Sequence, residues 1–257
     1  MSLFKRTLFL TFVAVTAAVL TTVVTLRGQE QASNESAPPG KQLQREEIES
    51  QFPAAELEAP EPTDPEERAR RRKKSARYDK HNFVNPHDGS GRGTETELVS
   101  EWDLGLPAIP SSRSDVIAVG NVTDARAYLS NDKTGIYSEF KVTVEEVLKN
   151  SAAAPLLVND FICVERIGGA VRYPSKGKYL YRVAGQGMPL VGKRYVFFLK
   201  ANELAQTFDV ITAYESRGDK VFPLDSAQQF DAYKGMDWAI FVGVLRGAIA
   251  RPGVEIK

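Results

Sequence analysis

The hydrophobic and polar residues divide this chain of 257 residues into three stretches. The first is an uncharged run from Thr7 to Leu26, preceded by Lys5 and Arg6. About 20 residues at a rise of roughly 1.5 Å per residue cross the hydrocarbon core of a bilayer. We therefore predict a single membrane-spanning helix, with residues 1–27 as an N-terminal membrane anchor or uncleaved signal.

Two other interpretations of the apolar run are less favoured. A secretory signal peptide has a shorter apolar region, about 7–15 residues, followed by small residues at a cleavage site. A buried helix that is apolar all round would need apolar partners, which the adjacent sequence lacks. Lys5 and Arg6 outweigh Arg27, and acids follow, so the positive-inside tendency places the N-terminus in the cytoplasm. The expected location is the cytoplasmic (inner) membrane, single-pass, with an extracytoplasmic C-terminal domain.

The second stretch, residues 28–97, is rich in Glu, Gln, Pro, Ser and Arg. Its apolar residues are too sparse to offset the entropy of ordering the backbone. We predict a mostly disordered charged linker that contains one short solvated helix. The helix should begin at Asp64 and Pro65, because an aspartate cap followed by proline is a typical helix start.

The linker contains a basic run and two histidines, which are the residue types of charged and metal-binding sites. The basic run Arg68–Lys74, followed by Arg77, is typical of a solvated face, although such a cluster can also bind anionic headgroups or an acidic polymer. His81 and His87 lie in a context rich in Asn, Pro and Gly, without an ordered helix or a cysteine pair. No metal site is predicted there.

The third stretch, residues 98–257, has the pattern of a β-rich globular domain. Val116–Val122 is a short run of β-formers, and Ser138–Val147 alternates between apolar and polar residues, so the two should form an antiparallel hairpin. Further strands are predicted over Phe161–Ile167, Ala170–Tyr173, Lys178–Val183, Tyr195–Leu199, Phe208–Tyr214 and Val221–Leu224.

The connections and the C-terminal pattern define the expected fold class. Gly168–Gly169 should join a second hairpin, and Arg217–Asp219 a third. From Phe230 to Ile249 the apolar residues recur at helical intervals, which predicts a closing helix packed on the sheet. We predict an all-β fold with one C-terminal helix, either a small antiparallel barrel of OB-like type or a β-sandwich.

The net charge and the cysteine count limit which partners are expected and how the domain can be stabilised. The chain has 33 Lys and Arg against 33 Asp and Glu, so its net charge gives no reason to expect nucleic acid as a partner. Cys163 is the single cysteine, which excludes an intramolecular disulfide. The domain must be held together by its own core.

Several segments resemble a known group of proteins. These are Ala125–Asn150, Gly168–Ser175, Gln186–Pro189 and Arg194–Leu199. The chain is similar through them to uncharacterised single-anchor membrane proteins of soil bacteria, of acidobacterial type. The resemblance spans about the last 150 residues, and it implies a bacterial envelope setting with no assigned function and no catalytic activity.

The domain sequence lacks the motifs of common catalytic and cofactor sites. Both histidines lie in the linker, and no Gly-x-Ser-x-Gly elbow occurs, so a serine-hydrolase triad is not expected. Cys163 lies in a predicted strand without a histidine in the domain and is expected to be a core residue. No glycine-rich phosphate loop is present. No catalytic residue, cofactor or metal is predicted.

One surface has the composition of a ligand site. Basic and aromatic residues concentrate near two predicted strands, at Arg172, Tyr173, Lys178, Tyr179, Tyr181 and Arg182. Small barrels bind oligosaccharides or single strands by stacking and charge. An ordinary edge-strand surface is the alternative. Strand alternation places the last two tyrosines on one face and the basic residues on the other.

Two functional hypotheses remain from the sequence. The first is a membrane-anchored extracytoplasmic module that binds a cell-envelope polymer or a protein partner. The second is an unrecognised envelope hydrolase or transferase. The second requires a concave pocket with convergent polar groups, whereas the first is compatible with an open face.

Overall fold

The computed structural model describes residues 52–82, 84–85, 95–152, 155–174, 177–202 and 207–251, all within one compact unit. The strands in these ranges are β1 (Ala54–Glu56), β2 (Glu95–Leu98), β3 (Val116–Leu129), β4 (Ile136–Lys149), β5 (Phe161–Ile167), β6 (Gly169–Arg172), β7 (Lys178–Val183), β8 (Arg194–Asn202), β9 (Thr207–Arg217) and β10 (Lys220–Pro223). The helices are α1 (Pro65–Ser75) and α2 (Trp238–Ala250), and short 3₁₀ helices cover Ala76–Tyr78 and Gln228–Tyr233.

Five of the strands close into a barrel. Their order around it is β3-β4-β5-β9-β8, and β8 pairs again with β3. Neighbours are antiparallel except β5 and β9, which run parallel through Val164 and Phe208. The prediction of an all-β barrel is confirmed over the β-sandwich alternative, because a sandwich would leave the edges of its two sheets open.

The barrel interior follows from strand alternation. On β4, Phe140, Val142 and Val144 point inward and are fully buried, as the sequence pattern predicted. They meet buried residues from the other four strands, including Val164 and Phe197. The predicted hairpin between β3 and β4 is also confirmed, although both strands are longer than the apolar pattern alone suggested.

A second sheet lies outside the barrel and corrects one prediction. The expected hairpin between Phe161–Ile167 and Ala170–Tyr173 is wrong, because β6 pairs with β7 and with β1. The chain changes sheets at Gly168 and Gly169, whose φ angles of 104° and 150° are unfavourable for other residues. The sheet has the order β1-β6-β7-β2.

The C-terminal hairpin and closing helix are confirmed, but the helix begins at Trp238 instead of Phe230, because a separate 3₁₀ helix covers Gln228–Tyr233. The β9–β10 hairpin turns at Gly218, with φ of 64°. Helix α2 begins after Asp237, whose side chain accepts hydrogen bonds from the N–H groups of Ala239 and Ile240. Its buried Phe241 packs against the Tyr214 ring on β9, with 4.8 Å between ring centroids. The helix therefore covers one outer face of the barrel.

Residues assigned to the linker contribute to the fold. Ala55, Leu57 and Tyr78 are buried, and β1 and β2 each add a strand to the second sheet. The predicted boundary at residue 98 is therefore too late, since short apolar residues separated by charges proved sufficient to pack against the barrel. The predicted short helix is confirmed as α1, capped by Asp64.

The predicted membrane anchor, residues 1–27, and the linker as far as residue 51 lie outside the described residues. Within the part that the structure describes, neither helix has the length and apolar character needed to cross a bilayer.

Candidate functional site

Three carboxylates form a row across the outer face of the barrel. Because Phe140, Val164 and Phe208 point inward, the residue beside each of them points outward. The register pairs Glu139 on β4 directly with Glu165 on β5, and Glu165 directly with Asp209 on β9. We call Glu139, Glu165 and Asp209 the carboxylate row. Like charges directly opposite each other destabilise a sheet, so the row needs a cationic partner.

The chain itself supplies that partner. Residues Pro65–Tyr78, comprising α1 and the 3₁₀ helix after it, lie across the row, and we call them the basic segment. Their exposed fraction has helical periodicity, with Ser75 and Tyr78 buried against the barrel. The basic side chains on this inner side are Arg71, Lys74 and Arg77, spaced three residues apart. This spacing places all three on one face of the helix.

The ion pairs follow the row in chain order. Arg71 Nη1 lies 2.6 Å from Glu139 Oε1, and Lys74 Nζ lies 2.9 Å from the same oxygen. Arg77 Nη1 lies 2.9 Å from Glu165 Oε2, and its Nη2 donates to both oxygens of Asp209 at 2.8 Å. Each carboxylate is thus contacted by at least one cation.

Glu165 has the greatest need for charge compensation in the row, because its side chain is fully buried beneath the basic segment. Its Oε2 accepts hydrogen bonds from Arg77 and from the Tyr78 hydroxyl at 3.0 Å. Its Oε1 has no hydrogen bond, although Lys74 Nζ lies 3.2 Å away in an ion pair. We interpret that contact as charge compensation without hydrogen-bond geometry. A buried carboxylate without its cations would be strongly unfavourable.

Aromatic contacts add an apolar component to the docking. The rings of Tyr78 and Tyr137 stack with 4.1 Å between centroids, and the Ser75 hydroxyl hydrogen-bonds to Tyr137 Oη at 3.1 Å. The Arg71 guanidinium lies 3.4 Å from the centroid of the Tyr128 ring. The basic segment is therefore held by shape and stacking as well as by charge.

The pKa values of Lys74 and Arg77 reflect this environment. Burial by itself would lower the pKa of Lys74, but the carboxylate of Glu139 outweighs it and raises that pKa above its ordinary value. Burial opposes the charge of Arg77 as well, yet its hydrogen bonds to Asp209 raise the pKa overall. Both side chains are therefore cationic at neutral pH.

Cys163 lies beside the carboxylate row and could be considered a nucleophile or a metal ligand. Burial, and then the nearby charge of Glu139, raises the pKa of its thiol to about 12. A neutral thiol is a poor nucleophile, so this geometry does not support thiol catalysis. Ligand atoms of Glu139, Cys163 and Glu165 lie within 4.8 Å of one another. Lys74 contacts both carboxylates there, so the chain already provides a cation.

The ligand surface predicted from the sequence is largely wrong. The rings of Tyr173, Tyr179 and Tyr181 are buried, with exposed fractions of 4%, 3% and 2%. The hydroxyls of Tyr173 and Tyr181 lie 2.7 Å apart in the core of the second sheet. Stacking of these rings on a ligand is excluded, because the second sheet packs them inward.

The basic residues of that predicted surface have partners of their own. Arg172 pairs with Glu56 at 3.0 Å, and Arg182 pairs with Glu95 and Glu97. Lys178 is the register partner of Arg172 at the edge of the β6–β7 pair. The acids come from β1, β2 and the residues around them, which the sequence pattern had assigned to a disordered linker.

The prediction for the basic run at residues 68–77 also needs correction. Its exposed members include Arg70, Arg72 and Lys73, which agree with a solvated helix face. Its inner members bind the carboxylate row instead of facing solvent. Sequence reasoning missed this because the row is assembled from three strands, and its register could not be read from the local pattern.

A buried ion pair elsewhere in the barrel was also missed. Arg166 and Asp225 have side-chain exposures of 2% and 0%, and form a two-pronged contact at 2.6 and 2.8 Å. Thr212 Oγ1 donates to the same carboxylate at 2.7 Å. This network ties β5, β9 and the segment after β10 together.

Comparisons with known proteins add nothing to this geometry. Neither the protein-family models nor the curated proteins include a match to the chain.

Proposed function

We propose that this protein is a membrane-anchored extracytoplasmic binding module that recognises a basic helical segment of a protein partner through the carboxylate row. Residues 7–26 would hold it in the cytoplasmic membrane, with the barrel facing the cell envelope. The basic segment of the chain occupies the same surface and defines the kind of ligand that fits.

One observation carries the proposal. Three carboxylates lie directly opposite one another on adjacent strands, and three evenly spaced cations contact them. A sheet gains nothing from adjacent like charges, whereas a surface that binds a cationic helix requires them. Arginine is well suited to the row because its planar guanidinium binds carboxylates through two parallel hydrogen bonds. Arg77 uses its fork to bridge two carboxylates instead, with Nη1 donating to Glu165 and Nη2 donating to both oxygens of Asp209.

The strand order of the barrel supports a binding role for this face. Numbered along the chain, the five strands have the order 1-2-3-5-4-1, which supports an OB-like type. Barrels of this type bind ligands across the outer face of their second and third strands. In this chain those strands are β4 and β5, which carry Glu139 and Glu165.

The charge of the carboxylate row supports a protein partner over an anionic envelope polymer. An anionic polymer would be repelled by the carboxylate row, whereas a protein segment with cations at positions i, i+3 and i+6 would replace the contacts of Arg71, Lys74 and Arg77. A tyrosine directly after the third cation would reproduce the stacking of Tyr78 on Tyr137. The proposed partner is therefore a basic amphipathic helix.

The test uses the full-length chain with Arg71, Lys74 and Arg77 replaced by alanine, which weakens its own docking. A fluorescent synthetic peptide of residues 64–79 is added in increasing amounts, and its anisotropy is measured. We expect saturable binding to this variant. Binding to the unmodified chain should be at least about tenfold weaker, because a tethered segment competes at a high effective concentration.

Two altered peptides provide matched controls. One has Arg71, Lys74 and Arg77 replaced by alanine, and the other has Arg70, Arg72 and Lys73 replaced. Both lose three positive charges, but only the first loses contacts with the carboxylate row. The first should not bind, and the second should bind nearly as well as the natural sequence. Equal loss for both peptides would reduce the interaction to net charge and contradict the proposed recognition.

A further inference from the structure

A cleft outside the carboxylate row has the composition of a small-molecule site. Its volume is about 320 Å³, and it is lined by Trp102, Leu106, Arg113, Gln186, Lys200, Val210 and Ile211. Small-molecule sites typically have volumes of about 300–1,000 Å³, with mostly apolar walls and few polar groups. Among the described residues that line it, two are basic and none is acidic. The cleft therefore favours an anionic ligand with an apolar body.

Arg113 provides an uncompensated positive charge at this cleft. Its backbone N–H bonds to Pro110, but its exposed guanidinium makes no hydrogen bond or ion pair with any residue in the described ranges. Lys200 differs, because its Nζ lies 2.9 Å from Asp115 Oδ1. Of the two cations, Arg113 is thus the one available for a carboxylate, which its fork geometry can bind through two hydrogen bonds.

Gln186 provides an unused polar group in the same wall. Its Oε1 is buried and lacks a hydrogen bond to any described residue. Buried polar atoms in folded proteins almost always have a hydrogen-bond partner. A ligand with an N–H or O–H group at this wall would let the amide turn toward the cleft and gain the bond that it lacks.

The wall around these groups is held in place by the fold. Trp102 Nε1 donates to the carbonyl of Ala184 at 3.0 Å, and the Trp102 ring stacks on Phe230. The next residue along from Gln186, Gly187, donates its N–H to the buried Asp225 at 2.9 Å. A site with fixed walls loses less entropy on binding, which favours a specific ligand.

We infer that this cleft binds a small amphipathic carboxylate. The acid group would pair with Arg113, the apolar or aromatic body would pack against Leu106 and Ile211, and a donor group would satisfy Gln186. This inference does not depend on the proposed recognition of a basic helix, because none of its residues belongs to the carboxylate row or to the basic segment.

The test compares two nearly isosteric probes, N-acetyl-L-tyrosine and its neutral amide, by calorimetric titration of the full-length chain. The acid should bind more tightly than the amide. Arg113→Ala should weaken the acid about three- to tenfold and leave the amide unchanged, as expected for a partly exposed ion pair. Lys193→Ala removes an exposed cation elsewhere and should change neither.

A second variant, Gln186→Leu, should weaken both probes, because both carry the hydroxyl and amide donors. The inference is wrong if the unmodified chain does not distinguish the acid from the amide. It is also wrong if Arg113→Ala and Lys193→Ala weaken the acid equally, since the effect would then come from overall charge. Neither result would affect peptide binding at the carboxylate row.

Discussion

At the scale of single residues, Cys163 offers a direct measure of the environment beside the carboxylate row. Burial and the charge of Glu139 raise its pKa from an ordinary value of 9.0 to about 12. The folded protein therefore retains the thiol proton where the unfolded chain loses it. The stability associated with the neutral thiol is present below pH 9.0 and is lost as the pH rises toward 12.

The pKa of Cys163 can be measured by alkylation, because only the thiolate reacts and Cys163 is the only cysteine. We expect the rate with iodoacetamide in the folded protein to show no inflection near pH 9. The chain unfolded in denaturant should show the ordinary inflection there. The same inflection in both states would contradict the predicted pKa.

The buried pair of Arg166 and Asp225 makes a second residue-scale prediction. Asp225→Ala leaves the Arg166 guanidinium buried without its carboxylate and should reduce the free energy of unfolding by about 3–5 kcal/mol. Replacing both residues, as Arg166→Met with Asp225→Leu, should recover much of that loss. Urea denaturation measures both. A loss below about 1 kcal/mol for Asp225→Ala would show that the pair is not desolvated as described.

The tyrosines of β7 show what strand alternation can and cannot predict. Alternation correctly placed Tyr179 and Tyr181 on one face, because successive side chains of a strand point to opposite sides. Which face is buried depends on the elements that cover it. Here the two tyrosines pack in one cluster with Ala127 of β3, Ile136 of β4 and Tyr173 just after β6. The strand β1 that borders this cluster comes from a stretch whose composition suggested disorder.

At the scale of elements, α1 was predicted as a helix but not as a docked one. Its start could be read from Asp64 and Pro65, since capping is a local interaction. Its partners Glu139 and Glu165 are distant in sequence and come from different strands. Arg77, in the 3₁₀ helix that follows, binds Asp209 on a third strand. Their alignment depends on strand register, which no local pattern specifies.

Truncation of the chain before the barrel tests where the folded domain begins. A chain that begins at residue 52 should fold with the stability of the full domain. One that begins at residue 98 loses β1, β2 up to Glu97 and the basic segment, and it exposes the carboxylate row. We expect its thermal midpoint to be lower by at least about 10 °C. The lost contacts should reduce the free energy of unfolding by a few kcal/mol, and each kcal/mol shifts the midpoint of a domain of this size by several degrees.

Addition of the peptide of residues 64–79 should raise the midpoint of the shorter chain, because a ligand that binds only the folded state stabilises it. It should not change the longer chain. Identical thermal midpoints for the two chains without peptide would place the boundary near residue 98, as the sequence pattern had suggested, and would make the docking of the basic segment dispensable for folding.

At the scale of the whole molecule, the barrel was predictable because its strands contain alternating apolar and polar residues and are separated by turns. The β3–β4 and β9–β10 hairpins follow from local turn chemistry at Ser130–Gly135 and Gly218. The change of sheet after β5 was not predictable, since a glycine pair also fits a tight hairpin turn. The parallel pairing of β5 with β9, which completes the row, is likewise a long-range feature.

The central claim is that the carboxylate row recognises individual cations of a basic helix. The most direct measurement is a double-mutant cycle between Arg77 of the peptide and Asp209 of the full-length chain with its own docking weakened. Four dissociation constants are obtained, with each residue natural or replaced by alanine. Arg77→Ala should weaken the peptide in both backgrounds, because Arg77 also contacts Glu165. The account predicts that the loss is about tenfold larger with Asp209 present than with Asp209→Ala, a coupling of about 1.4 kcal/mol. An equal loss in both backgrounds would mean that the two residues do not interact, and would contradict the account.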